Sequence, residues 1–207
     1  MNSSEEEKYW TQRYHENQTG WDIGYPSTPL KEYIDQLKNK NIFILIPGAG
    51  NAYEAEYLWK KGFHNVFILD ISATPLKAFQ KRNPNFPQNQ LIQDDFFAHR
   101  HQYDLILEQT FFCSFPPTDK NRFAYAKQIA QLLKVNGKLV GLWFDIPLTK
   151  NMEKRPFGGD RKHYLKFLNP FFKTINFEPC YNSIKPRKGN ELFGIFQKHQ
   201  KPLLTFL

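Results

Sequence analysis

The stretch "FILIPGAGNAYEAEYL", residues 43–58, runs from an apolar strand through a glycine pair into a helical pattern. Residues 42–46 are continuously apolar, and 52–61 carry Ala55, Leu58 and Trp59 at helical spacing. A turn that ends a strand and opens a helix aims backbone N–H groups at whatever lies over it, which suits an anionic or polar cofactor. Gly48 and Gly50 flank Ala49. A dinucleotide fingerprint would place a third glycine where Tyr53 stands, and a phosphate P-loop would need Gly-Lys-Ser/Thr, which this turn lacks. What remains is a turn that lets a ligand touch the backbone without a diphosphate, or a plain strand-to-helix connection.

The strands that follow favour a nucleoside. "VFILDIS" ends in Asp70, and an acid at the end of the second strand lies beside the first turn, where it accepts both ribose hydroxyls. That feature serves nicotinamide and S-adenosylmethionine alike. "LIQDDFF" puts Asp94 and Asp95 at the end of the third strand, ahead of two phenylalanines, where one acid can accept from an adenine amino group while an aromatic covers the ring. Capping of the next segment is the alternative. His99 and His101 form a lone His-x-His on a polar loop, too little for a metal site, so no metal is expected.

Outward from this centre the chain alternates. Helices are expected over 5–17 and 30–37, strands over 42–46, 66–69, 90–93 and 105–107, and helices between them over 52–61 and 74–82. A long amphipathic helix spans 119–133, with Asn136-Gly137 as its cap before a strand over 138–144. The tail reads as a helix over 160–168 and strands over 173–179 and 191–197, which pair antiparallel because a loop suffices to join them. Apolar strands spaced by helices imply a doubly wound, Rossmann-like α/β fold, with a mostly parallel seven-stranded sheet and a C-terminal antiparallel hairpin. This is the outline of a class I S-adenosylmethionine-dependent methyltransferase.

The 207 residues fit one domain, and 41% hydrophobic residues exclude disorder. No apolar run reaches membrane-spanning length, and the acidic start, MNSSEEEKYW, is unlike a secretory signal, so a cytoplasmic location and no membrane partner are expected. Cys113 and Cys180 read as small buried hydrophobes. The net charge of +8 permits a nucleic-acid partner, yet the densest basic cluster, Lys185-Pro-Arg-Lys188, is short and reads as solvated surface.

Taken in order, these motifs resemble the thiopurine S-methyltransferase superfamily, and most closely its halide/thiol methyltransferase branch. "YWTQRYHENQTGWDIGYPSTPL" matches the family's N-terminal cap, "ILIPGAGNAYEAEYL" its first motif and "DISATPLKAF" its ribose-acid strand. "DDFF", "YDLILEQTFFCSFPP", "RFAYAKQIAQLLKVNGKLV" and "SIKPRKGNELFGIFQK" follow. The resemblance implies one methyltransferase domain over 1–207, with 1–38 as a cap over S-adenosylmethionine. It implies Trp10, Tyr14 and Trp21 against that cofactor, Gly48 and Gly50 at its amino-acid end, Asp70 on the ribose, Asp95 and Phe96 at the adenine, and Glu108 near the methionyl amino group.

Tyr14, Ala49 and Glu108 stand where relatives often carry Trp, Cys and Asp, changes that preserve chemical type. Phe144 replaces a Tyr near the acceptor in some plant members, and "EKRPFGG", residues 153–159, matches the family's Gly-Pro-Pro-Phe-like loop imperfectly. Acceptor identity is what these departures leave open.

A sulfonium methyl is already activated, so in-line alignment of the nucleophile, worth about 7–11 kcal/mol, is the main requirement. A thiol of pKa ~8.5 is partly ionised at neutral pH, and a halide needs no deprotonation. Phe111, Phe112, Phe144 and Phe157 fall after the fourth and fifth strands and form the expected apolar acceptor pocket. Asp145 is either a proton acceptor for a neutral thiol or a cap of the Pro147 loop. The expected function is methyl transfer to a small thiol, hydrosulfide or halide by a monomer or weak oligomer. A nucleic-acid or other small-molecule methyltransferase, and a non-catalytic interaction protein on the same scaffold, are the alternatives.

Overall fold

Fully apolar four- and five-residue runs can be buried on both faces only inside a helix-covered sheet. The computed structural model, which describes residues 3–148 and 155–200, places them there. The chain divides into two compact units, residues 1–100 and 101–207.

The first unit opens with α1 (Ser3–His15) and α2 (Thr28–Asp35), followed by β1 (Ile44–Pro47), α3 (Tyr53–Lys60), β2 (Val66–Asp70), α4 (Ala73–Arg82) and β3 (Leu91–Gln93). Its strands run in the order β3-β2-β1, all parallel, with Ile44 opposite Val66 and Ile68 opposite Leu91. Ile44, Leu45, Val66 and Ile68 are fully buried, with Leu58 and Phe79 packed from the helices. Local chemistry sets the ends: Ser72 caps α4 by accepting from Thr74 N, and Pro29 begins α2 where its missing N–H costs nothing.

The second unit holds β4 (Tyr103–Gln109), α5 (Asp119–Leu132), β5 (Leu133–Phe144), α6 (Arg161–Leu168), β6 (Phe172–Pro179) and β7 (Glu191–Lys198). Its strand order is β4-β5-β7-β6, with β4 and β5 parallel and β7 antiparallel to both its neighbours. Thr118 and Asp160 cap α5 and α6 through Asn121 N and His163 N. The fold is α/β, seven strands in a mostly parallel sheet with one antiparallel hairpin at the C-terminal end.

Two expectations are corrected. Asn136-Gly137 does not cap α5: the helix stops at Leu132 and β5 starts at once, because Leu133 is already extended. Residues 134–137 instead bulge from the strand, since Tyr103 pairs with Leu133 but Leu105 pairs with Lys138. The left-handed Asn136, at φ 62°, turns that bulge. Nor is the Lys185-Pro-Arg-Lys188 cluster wholly solvated: Arg187 is buried against Glu191 at 3.3 Å and lies 5.4 Å from the Phe144 ring centroid. A lone charge there would be costly to desolvate, and the paired carboxylate offsets that cost. Both cysteines are buried, as their sequence context implied. No helix among the described residues is long and apolar enough to cross a membrane.

Candidate functional site

In the first unit the glycine turn is wound left-handed at alternate positions: φ is 55° at Gly48, 54° at Gly50 and 54° at Ala52. Such a path suits glycine and strains alanine by about 1–2 kcal/mol. Gly50 is required for a second reason. A Cβ placed there would lie 3.1 Å from the Tyr14 hydroxyl, with Trp21 Nε1 at 3.8 Å.

Those two rings belong to an edge-to-face cluster carried by α1 and the loop after it. Trp10 meets Trp21 at 5.3 Å between centroids, and Tyr14 meets Trp21 at 5.7 Å. Trp10 Nε1 donates to Glu6, and the Thr11 hydroxyl lies 2.8 Å from that of Ser72. Burial holds the Tyr14 phenol well above its ordinary pKa, with Asp70 adding to the effect. The sequence thus brings Trp10, Tyr14, Trp21, Gly50 and Asp70 together.

Asp70 fastens this turn. Its Oδ2 accepts from Gly50 N at 3.0 Å and its Oδ1 from Ser72 N at 2.9 Å. Burial raises its pKa to about 6, and these N–H donors oppose the rise. Asp94 N donates to the Asp70 carbonyl. Asp95 closes its own turn by accepting from Phe97 N at 2.8 Å, while Phe96 is buried with its ring edge-on to Phe97 at 5.1 Å. His99 Nδ1 sits 3.9 Å from Asp94 Oδ2.

The second unit carries a different device. Glu108, fully buried in β4, accepts at Oε1 from both Phe111 N and Phe112 N, each at 2.9 Å. Burial lifts its pKa to about 8, so its carboxyl is mostly protonated at neutral pH. Arg122, which the sequence motifs did not single out, donates from α5 to the Phe112 carbonyl at 2.8 Å and toward the Gly158 carbonyl at 3.4 Å. Its guanidinium carbon is 4.1 Å from the Phe112 ring centroid.

The four expected pocket aromatics divide. Phe112 and Phe157 are interior residues, the former edge-on to Tyr125 at 4.6 Å and the latter tied by Phe157 N to the Cys113 carbonyl. Phe111 and Phe144 are half-buried, and Asp145 is exposed, with its backbone N–H donating to Asn190 O. The loop 153–159 lies outside the described residues at 153 and 154; Gly158 and Gly159 within it are buried.

The sequence model described as "Thiopurine S-methyltransferase (TPMT)" matches residues 5–204. The chain belongs to the thiopurine S-methyltransferase family. The "Probable thiol methyltransferase 2" of Arabidopsis thaliana is 30% identical to this family member over 195 residues, covering 91% of this chain and 84% of the relative. The "Thiocyanate methyltransferase 1" of the same plant is 28% identical over 96% of this chain and 88% of its own length. A TehB-like SAM-dependent methyltransferase from Corynebacterium glutamicum shares the fold with a TM-score of 0.64 at 16% identity, over 95% of this chain and all of that one. A glycopeptide N-methyltransferase complexed with S-adenosyl-L-homocysteine gives 0.65 at 13% identity, over 86% and 91%.

This thiopurine S-methyltransferase relative is an S-adenosylmethionine-dependent methyltransferase, which excludes the non-catalytic alternative. Its own residues fit the cofactor. The Asp70 carboxylate accepts from the Gly50 and Ser72 N–H groups, with Ile71 N–H adding a third, which leaves acceptor capacity on its two oxygens, and Gly50 keeps the turn free of a side chain beneath Tyr14 and Trp21.

Proposed function

We propose that the protein methylates a small, soft, sulfur-centred nucleophile, such as a thiol or hydrosulfide, with halide as a lesser acceptor. The reading assigns Trp10, Tyr14 and Trp21, within a cap over residues 1–38, to cover S-adenosylmethionine. Gly48 and Gly50 take its amino-acid end, Asp70 the ribose, Asp95 and Phe96 the adenine, and Glu108 the methionyl ammonium. Bound S-adenosylmethionine supplies a methyl group already activated by sulfonium. The chain's part is then to orient, to exclude water and to leave the acceptor's reactive pair free.

The observation that carries this reading is that the buried Glu108, Cys113 and Tyr164 are all held toward their protonated forms, so none of them offers an ionised base. Burial pushes the Cys113 thiol up to about 12 and the Tyr164 hydroxyl higher still, so both stay protonated, and Glu108 is mostly neutral. Half-buried Phe111 and Phe144 offer an apolar wall instead. Acceptors that ionise readily by themselves suit such a wall, whereas an alcohol or amine would need a base. Asp145 is exposed, and in this reading it accepts the proton of a neutral thiol and relays it to water.

Two further facts support an anionic sulfur acceptor. The two plant relatives are named for thiol and thiocyanate. The second unit also carries seventeen Lys and Arg against eight Asp and Glu, while the first is nearly balanced at eleven against twelve. A positive half raises the encounter rate of a small anion. Incubation with labelled S-adenosylmethionine and a panel of thiols, hydrosulfide, thiocyanate and halides, read by mass spectrometry, should give methylthio products above methyl halides. Exclusive methylation of oxygen or nitrogen acceptors would overturn the proposal. An unchanged pH–rate profile in Asp145→Asn would remove its relay role.

A further inference from the structure

Asp22 has no part in the fold's core, yet it joins three separate pieces of the first unit. Its Oδ1 accepts from Gly24 N at 2.9 Å, closing the loop that carries Trp21. Its Oδ2 accepts from the side-chain amide of Asn51, and the Tyr53 hydroxyl donates to the same oxygen at 3.4 Å. Asn51 lies between the left-handed residues Gly50 and Ala52. Its carbonyl accepts from Arg82, whose guanidinium carbon is 5.2 Å from the Tyr53 ring centroid. The residue at the crest of the turn is thus gripped at both ends, its side chain by Asp22 and its backbone by Arg82.

We propose that Asp22 is a positioning residue of the cofactor site: it latches the Trp21 loop to the glycine turn through Asn51 and so sets the affinity for S-adenosylmethionine. The inference rests on the assignment of that turn and of Trp21 to the cofactor. Three observations support the latch. A left-handed alanine such as Ala52 persists only where its surroundings fix it, and Asn51 is the adjoining tether. Trp21 is the chain neighbour of Asp22, and its Nε1 is among the atoms nearest the open side of Gly50. A carboxylate collecting three donors from a loop and a turn restrains both at once, which lowers the ordering cost of ligand capture. Asp22 touches no reacting atom in this scheme; it acts through Trp21 and Asn51.

Asp35 offers a matched control. It also joins N-terminal segment to helix, accepting from the Tyr57 hydroxyl at 2.6 Å and pairing with Lys61 at 2.8 Å, but it does so between α2 and α3, away from the turn. The experiment compares Asp22→Ala, Asp22→Asn and Asp35→Asn with the parent. It measures the calorimetric Kd for S-adenosylhomocysteine, kcat and KM for the donor, and hydrogen exchange of the Ala49, Gly50 and Ala52 amides in cofactor-free protein. Asp22→Ala should raise Kd by about tenfold or more, raise KM more than it lowers kcat, and speed exchange at those three amides. Asp22→Asn should fall between, since its one carbonyl oxygen keeps part of the donor set. Asp35→Asn should leave Kd and those amides unchanged. Kd within about twofold of the parent in Asp22→Ala, with only the unfolding midpoint lowered, would reduce Asp22 to a structural contact and overturn the proposal. Trp21→Ala tests the underlying assignment separately. If it leaves Kd unchanged the turn is not the cofactor's seat, and unaltered exchange in cofactor-free Asp22→Ala then also removes the latch.

Discussion

The turn beside Asp70 and the turn beside Glu108 use one device to different ends. In each, a carboxylate at a strand's end gathers backbone N–H groups: Gly50 and Ser72 in the first unit, Phe111 and Phe112 in the second. Asp70 draws its donors from two segments, so it ties the glycine turn to the start of α4. Glu108 draws both from consecutive residues, and the turn is clasped on its carbonyl side by Arg122. The first carboxyl titrates near 6 and is mostly charged at neutral pH; the second titrates near 8 and is mostly not. One backbone motif therefore holds a mostly charged carboxylate in one place and a mostly neutral acid in the other.

The comparison is broken most severely through Arg122. Replacing it by Met removes the donor to the Phe112 carbonyl and the weaker one to Gly158, and leaves buried acceptors unpaired. Urea unfolding of Arg122→Met should show a loss of about 2–4 kcal/mol. Hydrogen exchange at Gly50 should stay at the parent's rate under native conditions, because none of that turn's bonds is touched. A loss under about 0.5 kcal/mol would mean that Arg122 does not hold the second turn.

Asp70→Asn strikes the other side. The amide keeps one acceptor oxygen, so Gly50 N or Ser72 N loses its partner along with the charge. The Kd for S-adenosylhomocysteine should rise about 10- to 100-fold by calorimetry. In the parent, Kd should be flat above pH 6 and weaken below it, by at most about tenfold per unit, as Asp70 takes up a proton. A Kd independent of pH between 5 and 7 would deny Asp70 a charged role.

The first turn was legible in the sequence because its parts are local and special: glycines at positive φ, an acid ending the next apolar strand and aromatics in a nearby helix. The second was half legible. Glu108 was reached only through the family resemblance, and Arg122 lies in an ordinary amphipathic helix, where nothing in its spacing says that its guanidinium turns inward. Arg187 is the same case, hidden among lysines and a proline that do face solvent. Burial of a charge depends on a partner from elsewhere in the chain, here Glu191, and periodicity carries no record of that partner. The Asn136 bulge was misread for a related reason: Asn-Gly signals a left-handed residue equally well at a helix end and inside a strand.

The smallest effect sharpens the contrast between the two carboxylates. Glu108 has its pKa raised from 4.5 to about 8 by burial, so the folded protein holds a proton that the unfolded chain has already lost across that range. Stability from this group is therefore fullest below its ordinary pKa and falls as pH rises toward 8, with a slope of up to about 1.4 kcal/mol per pH unit. Asp70 has the same sign and is half titrated near 6, but it is present in both the parent and Glu108→Gln and cancels from their difference. Glu108→Gln retains an oxygen for Phe111 N and Phe112 N yet cannot ionise. The difference between parent and Glu108→Gln in urea unfolding should consequently shift in the variant's favour as pH climbs from about 6.5 to 8, whatever the offset at the lower end. His163, whose pKa burial lowers, is present in both proteins and cancels from that difference. Parallel pH profiles would mean that the Glu108 carboxylate is already charged at pH 6.5, and the two turns would then be electrostatically alike.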